Sequence, residues 1–287
     1  MDSRRVLLEA WLPAVLSQTY QLQGWGEPGE GRLEPASADA SFRRYFRWQD
    51  GQRSLVVMDA PPVQEDSRPF VQVAGLLAEA GVRTPTIYAS DLDQGFLLLE
   101  DMGARTYLQT IEAGVDEAEL ERLYDAAVDT LVRWQLSSRP GVLPEYDEAV
   151  LRRELQLFPD WYVTREKGRE LSAGEQAEWE ALCNLLLDSI LAENRVFVHR
   201  DYMPRNLMTA GVAVPDACDT FMDQSRLMGV QRHLKVLGIF ARICHRDGKP
   251  HYLADAPRFI SYLHEACERD ARLAPLRRLL ESLEMRP

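Results

Sequence analysis

"VFVHRDYMPRNLM", residues 196–208, sets three apolar residues directly before a charged triplet. Val196, Phe197 and Val198 are β-branched or aromatic, which predicts a short strand. His199, Arg200 and Asp201 follow, and Asn206 stands five residues after the aspartate. A carboxylate at a strand end can accept a hydroxyl proton. A side-chain amide across a tight loop can hold a magnesium ion through its oxygen. Pro204 helps fix the turn, and His199 and Arg200 can brace it. The ordinary alternative is a polar loop after a strand, and short motifs match by chance often enough to keep it open. A second "HRD" at residues 245–247 fails the same test. Five residues after Asp247 lies Tyr252, a poor magnesium ligand, and "FARIC" before it continues a helical pattern. Residues 245–250 therefore read as a helix end, with Gly248 and Pro250 as stop signals.

The rest of the chain constrains this loop. Its 287 residues suffice for one large domain or two lobes with a sizeable core. Hydrophobic residues make up 46% and charged residues 27%, an ordinary globular balance. The net charge of −12 repels phosphate backbones and anionic lipid, which argues against nucleic acid or membrane partners. No apolar run approaches the roughly 20 residues needed to span a bilayer. "MDSRRVLLEAWLPAVL" reads as an amphipathic helix rather than an export signal. Cys183, Cys218, Cys244 and Cys267 are widely spaced, the pattern of reduced thiols in a cytoplasmic protein rather than of a disulfide or metal framework.

Along the chain the character changes once. "FRRYFRW" (42–48), Asp50-Gly51 and "SLVVMDA" (54–60) predict a β-hairpin. Residues 68–81 have helical apolar spacing with Gly81 as C-cap. "TPTIYAS" and "GFLLLED" predict two further strands, and residues 104–192 then carry long helical periodicity. The chain is again helical from Leu227 to its end. The expected fold class is α+β, with a small sheet-bearing N-terminal lobe over residues 1–100 and a larger helical lobe over 101–287. The hinge falls near Glu100 to Ala104, and a cleft between two lobes is a natural ligand site.

These features resemble the aminoglycoside phosphotransferase family, the small-molecule kinases with a protein-kinase-like bilobal fold. "HRDYMPRNLM" matches the H-x-D-x-x-x-x-N catalytic loop and "LLLEDMG" the hinge. Within the family, "DASFRRYF", "VVMDAPP", "ELQLFPDWYV" and "LMGVQRHLKVLGIFARICHRDGKPHYL" are similar to bacterial sugar 1-kinases of cell-wall recycling. The resemblance implies ATP and Mg2+ as cofactors. It implies phosphoryl transfer to the anomeric hydroxyl of an amino sugar, N-acetylmuramate or N-acetylglucosamine. Asp201 would be the base, with His199 and Arg200 beside it. Asn206, with Asp201, would hold the metal. The backbone of Glu100, Asp101 and Met102 would face the adenine. Ser41 and Phe42 would lie in the phosphate loop, with Arg43 or Arg44 adding charge. A solvated strand face is the plain alternative for the two arginines.

Two departures from the family pattern stand out. The strand that usually carries an ATP-binding lysine reads "SLVVMDAPP", with Met58 near that position, and no lysine occurs before Lys167. Some other cation would have to serve, an arginine being the candidate. The second metal-binding aspartate, expected in a short strand after the catalytic loop, has no counterpart. Asp216, Asp219 and Asp223 lie in a turn-like, proline-containing stretch, and only 18 residues separate Met208 from Leu227. Related kinases carry several tens of residues there. The segment is either omitted from this chain or lost from the protein, and omission is the expectation.

On the substrate side, Glu154, Asp160, Trp161 and Arg205 are candidates. Carboxylates accept from paired sugar hydroxyls, and an aromatic face suits the ring. The alternative places Leu155, Phe158, Trp161 and Tyr162 in a helix core. One of Arg232, His233 and Arg242 could meet a lactyl carboxylate, although helix packing or a surface position is the plainer reading for each singly. Rival functions are a kinase of an aminoglycoside or choline-type metabolite, and a pseudokinase-like binding module. The latter is favoured by the absent lysine and aspartate. A helical scaffold without kinase activity is more distant. The intact mass of the purified gene product separates omission from loss. It is expected several kilodaltons above the 32.7 kDa of this chain, and a mass equal to that value would favour the binding module.

Overall fold

The computed structural model describes residues 2–38, 42–209 and 222–286. The chain divides into two compact units: Met1–Ser138 with His199–Ala217, and Arg139–Val198 with Cys218–Pro287. This partition differs from a division at residue 100, because the first helices after the hinge and the catalytic loop belong with the sheet-bearing unit.

The first unit opens with α1 (Ser3–Gln23), capped by Asp2, whose carboxylate accepts from the Arg5 amide, and closed by Gly24 in the left-handed conformation. Five antiparallel strands follow in the order β1-β2-β3-β5-β4. They are β1 (Arg32–Ala38), β2 (Arg44–Gln49), β3 (Ser54–Asp59), β4 (Ile87–Asp91) and β5 (Phe96–Glu100). The β2–β3 hairpin turns at Asp50-Gly51, and its register pairs Arg44 with Asp59. Sequence periodicity did not indicate β1, because Pro35 interrupts it. Pro35 is tolerated because β1 is an edge strand with an irregularity between Pro35 and Ser37.

β5 is apolar at four successive positions because both of its faces are covered. Phe96 and Leu98, with Leu55, Val57 and Trp48, pack against Leu8, Leu12 and Leu16 of α1. Leu97 and Leu99, with Met58, meet Phe70 and Val71 of α2 (Arg68–Glu79) on the opposite face. Period-two alternation sorts one strand into two cores. Each such buried side chain contributes about 1.5–3 kcal/mol. After the hinge come α3 (Tyr107–Glu112), opened by a Thr106/Gln109 capping box, and α4 (Glu117–Leu136), capped by Asp116 with Glu117 and Glu119 in its first turn.

The second unit is helical: α5 (Glu148–Leu155), a π-helical stretch at Phe158–Glu166, α6 (Ala173–Leu191), α7 (Met222–Asp247), α8 (Ala256–Arg269) and α9 (Ala274–Ser282). Its core joins Phe158, stacked on Tyr162 and Trp179, to Leu234, Leu237, Leu263 and Leu276. The expected strand at residues 196–198 is absent, and only Phe197 of the three is buried. A ladder needs a partner for its N–H and C=O groups, and no described strand pairs with this segment.

Gly238 of α7 sits where a Cβ would come within 2.3 Å of the Leu157 carbonyl. Two backbones meet there, so neither can yield as a side chain would. Gly238→Ala is expected to lower stability by about 2–3 kcal/mol through overpacking, read as a shift in the urea midpoint.

Candidate active site

The loop after His199 is held from both ends within its own unit. Tyr202 donates its hydroxyl to the Ala127 carbonyl of α4 at 2.6 Å. Its ring packs with Tyr107, Leu123 and Leu207, and burial pushes the phenol up to about 12. The edge of the His199 ring meets it at a centroid distance of 5.3 Å. At the far end the Tyr107 amide donates to the Leu207 carbonyl at 2.8 Å, and Thr106 forms an isolated bridge with Met208.

Between these anchors Pro204 opens a single 3-10 turn, Pro204–Asn206. The Asn206 amide nitrogen donates to the Asp201 carboxylate at 2.8 Å and to the Asp201 carbonyl at 3.0 Å. The nitrogen must face Asp201, since two oxygens would repel, so the amide oxygen points away. Asp201 and Asn206 are both exposed. Arg200, also exposed, has φ +67°, a left-handed conformation that is strained for a residue with a Cβ. Arg205 is exposed on the same turn.

At the hinge both carboxylates turn to their own sheet and its connections. Glu100 accepts from Arg83 at 2.9 Å and from the amide and hydroxyl of Thr86 at 3.1 and 2.9 Å. Arg83, with Thr86, holds its carboxyl down at about 2. Burial would raise the Asp101 carboxyl, but bonds from Arg47, Ser54 and the Gly103 amide outweigh it and hold it below the usual range. The Glu100 amide also donates to the Thr86 carbonyl at 2.8 Å, so this residue is fixed by main chain and side chain alike.

The phosphate-loop candidates are placed differently. Ser41 lies outside the described residues. Phe42 is exposed. Arg44 donates to Asp59, at 3.0 Å from its Nε, and pairs with Asp2. Arg4 holds the other oxygen of the fully buried Asp59. Arg43 pairs with Glu65 at 2.8 Å and lies over Phe70. Both guanidiniums are therefore engaged with carboxylates of their own unit.

The substrate candidates of the second unit are likewise mixed. Glu154 is buried and accepts from Tyr146, Lys235 (2.9 Å) and Gln231 (3.4 Å). Its two oxygens are thus shared among three side chains of its own unit. Asp160 is exposed and accepts from Gln156 at 2.8 Å. Trp161 packs against the core. His233 lies against Phe259 and Tyr262, and burial lowers it to about 4. Burial also lowers Arg242. Arg232 is half-buried. Asp216 and Asp219 are outside the described residues, and Asp223 falls within α7. Sequence reasoning missed Tyr202, Arg47 and Arg83, which position the loop and hinge. An aromatic directly after the aspartate was the one legible sign.

The phosphotransferase enzyme family model matches residues 32–215. The chain belongs to this family. It is 49% identical to the N-acetylmuramate/N-acetylglucosamine kinase of Pseudomonas aeruginosa, covering 98% of this chain and 97% of that one. The protein of the same description from Pseudomonas putida is 44% identical over 99% and 97%. That of Neisseria meningitidis serogroup B is 36% identical over 98% and 96%. The alignment with the P. aeruginosa protein runs to 333 positions, which exceeds the 287 residues of this chain by 46. Among solved structures, a Ralstonia eutropha protein assigned to the aminoglycoside phosphotransferases superposes with a TM-score of 0.55 at 15% identity, covering 87% of this chain and 95% of that one. The fold is accordingly α+β and protein-kinase-like.

Glu100 has its carboxyl depressed in the folded state, so its bonds add stability above the ordinary value near 4.5. That stability is lost as pH falls toward 2. Glu100→Gln is expected to cost about 1 kcal/mol at pH 7, a modest figure because Arg83 is solvent-exposed. The difference from the parent should vanish near pH 2, as read from urea melts across pH.

Proposed function

We propose that the chain phosphorylates the anomeric hydroxyl of an amino sugar of the N-acetylmuramate and N-acetylglucosamine type. ATP is the donor, and the product is the sugar 1-phosphate that a cell-wall recycling route would consume. Family membership and the relatives' shared description support the reaction class and substrate. The observation that carries the mechanism is Asp201, held by Asn206 at 2.8 Å in a turn pinned at both ends. Asp201 accepts the proton of the sugar hydroxyl as its oxygen bonds to the γ-phosphorus and the bond to ADP breaks. Holding the carboxylate in place contributes by positioning, which phosphoryl transfer needs more than covalent help. The hinge main chain at Glu100 to Met102 receives the adenine.

The donor set fits a hard cation. Asp201 and the outward amide oxygen of Asn206 are oxygen ligands, and Mg2+ takes one or two protein ligands beside substrate phosphates. Mg2+, when bound, neutralises charge on the phosphate oxygens. Among the described residues no three His, Cys, Asp or Glu side chains converge as a metal cluster. No described helix is long and apolar enough to cross a membrane, and a cytoplasmic location suits a kinase that draws on ATP.

Asp201→Asn keeps the bond geometry but removes the base. It is expected to lower kcat about 10²–10⁴-fold with the melting temperature unchanged, in an assay of sugar 1-phosphate formation. Full turnover would remove Asp201 from the role. A panel including aminoglycosides and choline tests the substrate class, and preference for either would replace the sugar reading.

A further inference from the structure

Met58 stands near the position of the absent lysine, on the face of the sheet that packs against α2. Leu97, Leu99, Phe70 and Val71 share that face. Side chains alternate along a strand, so the arginines of the β2 stretch divide between two faces. Arg44 lies across the hairpin from Asp59 and donates to its carboxylate, on the face opposite to Met58. Arg47 is on the Met58 side but reaches Asp101 at the hinge, 2.7 Å from its Nε. Tyr45 lies across the hairpin from Met58 and packs in the same cluster. Two residues earlier, Arg43 returns to that face, and its guanidinium lies over the Phe70 ring at 5.7 Å from the centroid. A diagonal neighbour on the adjacent strand is about 7–8 Å away, within reach of a long side chain.

We propose that Arg43 is the cation that meets the ATP phosphates in place of the absent lysine, and that Glu65 is the residue that positions it. This rests on the reading of the chain as an ATP-dependent kinase. Arg43 Nη2 pairs with Glu65 Oε1 at 2.8 Å, and the two side chains are only 25% and 21% exposed, which shields the pair from water. The carboxylate has a fixed origin. The Glu65 amide donates to the Pro61 carbonyl at 2.9 Å, in the turn that leaves β3, and α2 begins three residues later at Arg68. In protein kinases the strand lysine is likewise held by a glutamate of the helix that follows. Here both charges have moved, the cation to the entry of β2 and the carboxylate to the turn before α2. Arginine suits the displaced position. Its side chain is long, and its planar fork of donors can serve a carboxylate and phosphate oxygens together. Position 43 also directly follows Ser41 and Phe42, the stretch read as the phosphate loop.

The test is nucleotide binding by the purified gene product, titrated calorimetrically with ATP and with adenosine in the absence of sugar. Adenosine carries the base without phosphate, so it reports the hinge and the fold alone. Arg43→Met is expected to weaken ATP binding about tenfold or more, the loss of a charge-assisted contact, and to leave adenosine unchanged. Arg43→Lys keeps the charge and is expected to recover most of that loss. Glu65→Gln leaves the arginine in place but unheld, and is expected to weaken ATP about threefold, the scale of a partly exposed ion pair, again with adenosine unchanged. An Arg43→Met protein that keeps the parent's preference for ATP over adenosine would overturn this proposal and leave the kinase reading standing. A parent that binds the two equally would overturn both. Parallel losses of ATP and adenosine binding in Arg43→Met would mean that the pair only ties the sheet to α2, and would also overturn the proposal. Where Arg43→Met does not fold, Glu65→Gln keeps the question open to measurement: unchanged ATP binding there would overturn the proposal.

Discussion

Two hydrogen bonds hold the catalytic turn, and the rest of the site depends on them. Tyr202 ties its start to the Ala127 carbonyl, and the Tyr107 amide ties its end to Leu207. Between these anchors Asp201 and Asn206 meet across a single 3-10 turn. The strained φ of Arg200 persists because the surroundings over-determine it. The anchors are themselves positioned by helices: α3 begins at the Thr106 capping box, and α4 presents Ala127 because its other contacts are buried leucine, alanine and tryptophan. A carboxylate held this way is positioned by its own turn. This is how a fold with little covalent role in phosphoryl transfer can still contribute to it.

The sheet shows the same economy with charge. Lysine is absent from this part of the chain, and arginine takes the ionic roles. Arg4 and Arg44 hold the buried Asp59, Arg47 holds Asp101, and Arg83 holds Glu100. A planar guanidinium suits such carboxylates because it can donate to both oxygens at once. Asp59 has one guanidinium on each carboxylate oxygen, so loss of either arginine leaves the other in place. These pairs turn the hinge carboxylates toward their own sheet.

Much of this was legible beforehand. The Asp50-Gly51 hairpin, the strand ending at Glu100, the helix closing at Gly81 and the stop at Gly248 all follow local rules, and the structure contains each of them. Asp201 and Asn206 were readable because their spacing is local, and the bond between them spans five residues. β1 was not readable, because Pro35 is acceptable only on an edge and sequence does not say which strand is the edge. The strand at 196–198 was expected from composition and failed because a strand exists only with a partner.

Local pattern therefore set most of the helices, the β2–β3 hairpin, β5 and the spacing of Asp201 and Asn206. These properties depend on neighbours along the chain, through dihedral preference, capping and short spacing. Tertiary structure decided which charges are spent. Glu154 and Arg44 look available in the sequence but are consumed by Lys235 and Asp59, partners distant along the chain. Partnership and burial are set by the whole fold, and no window of sequence contains them.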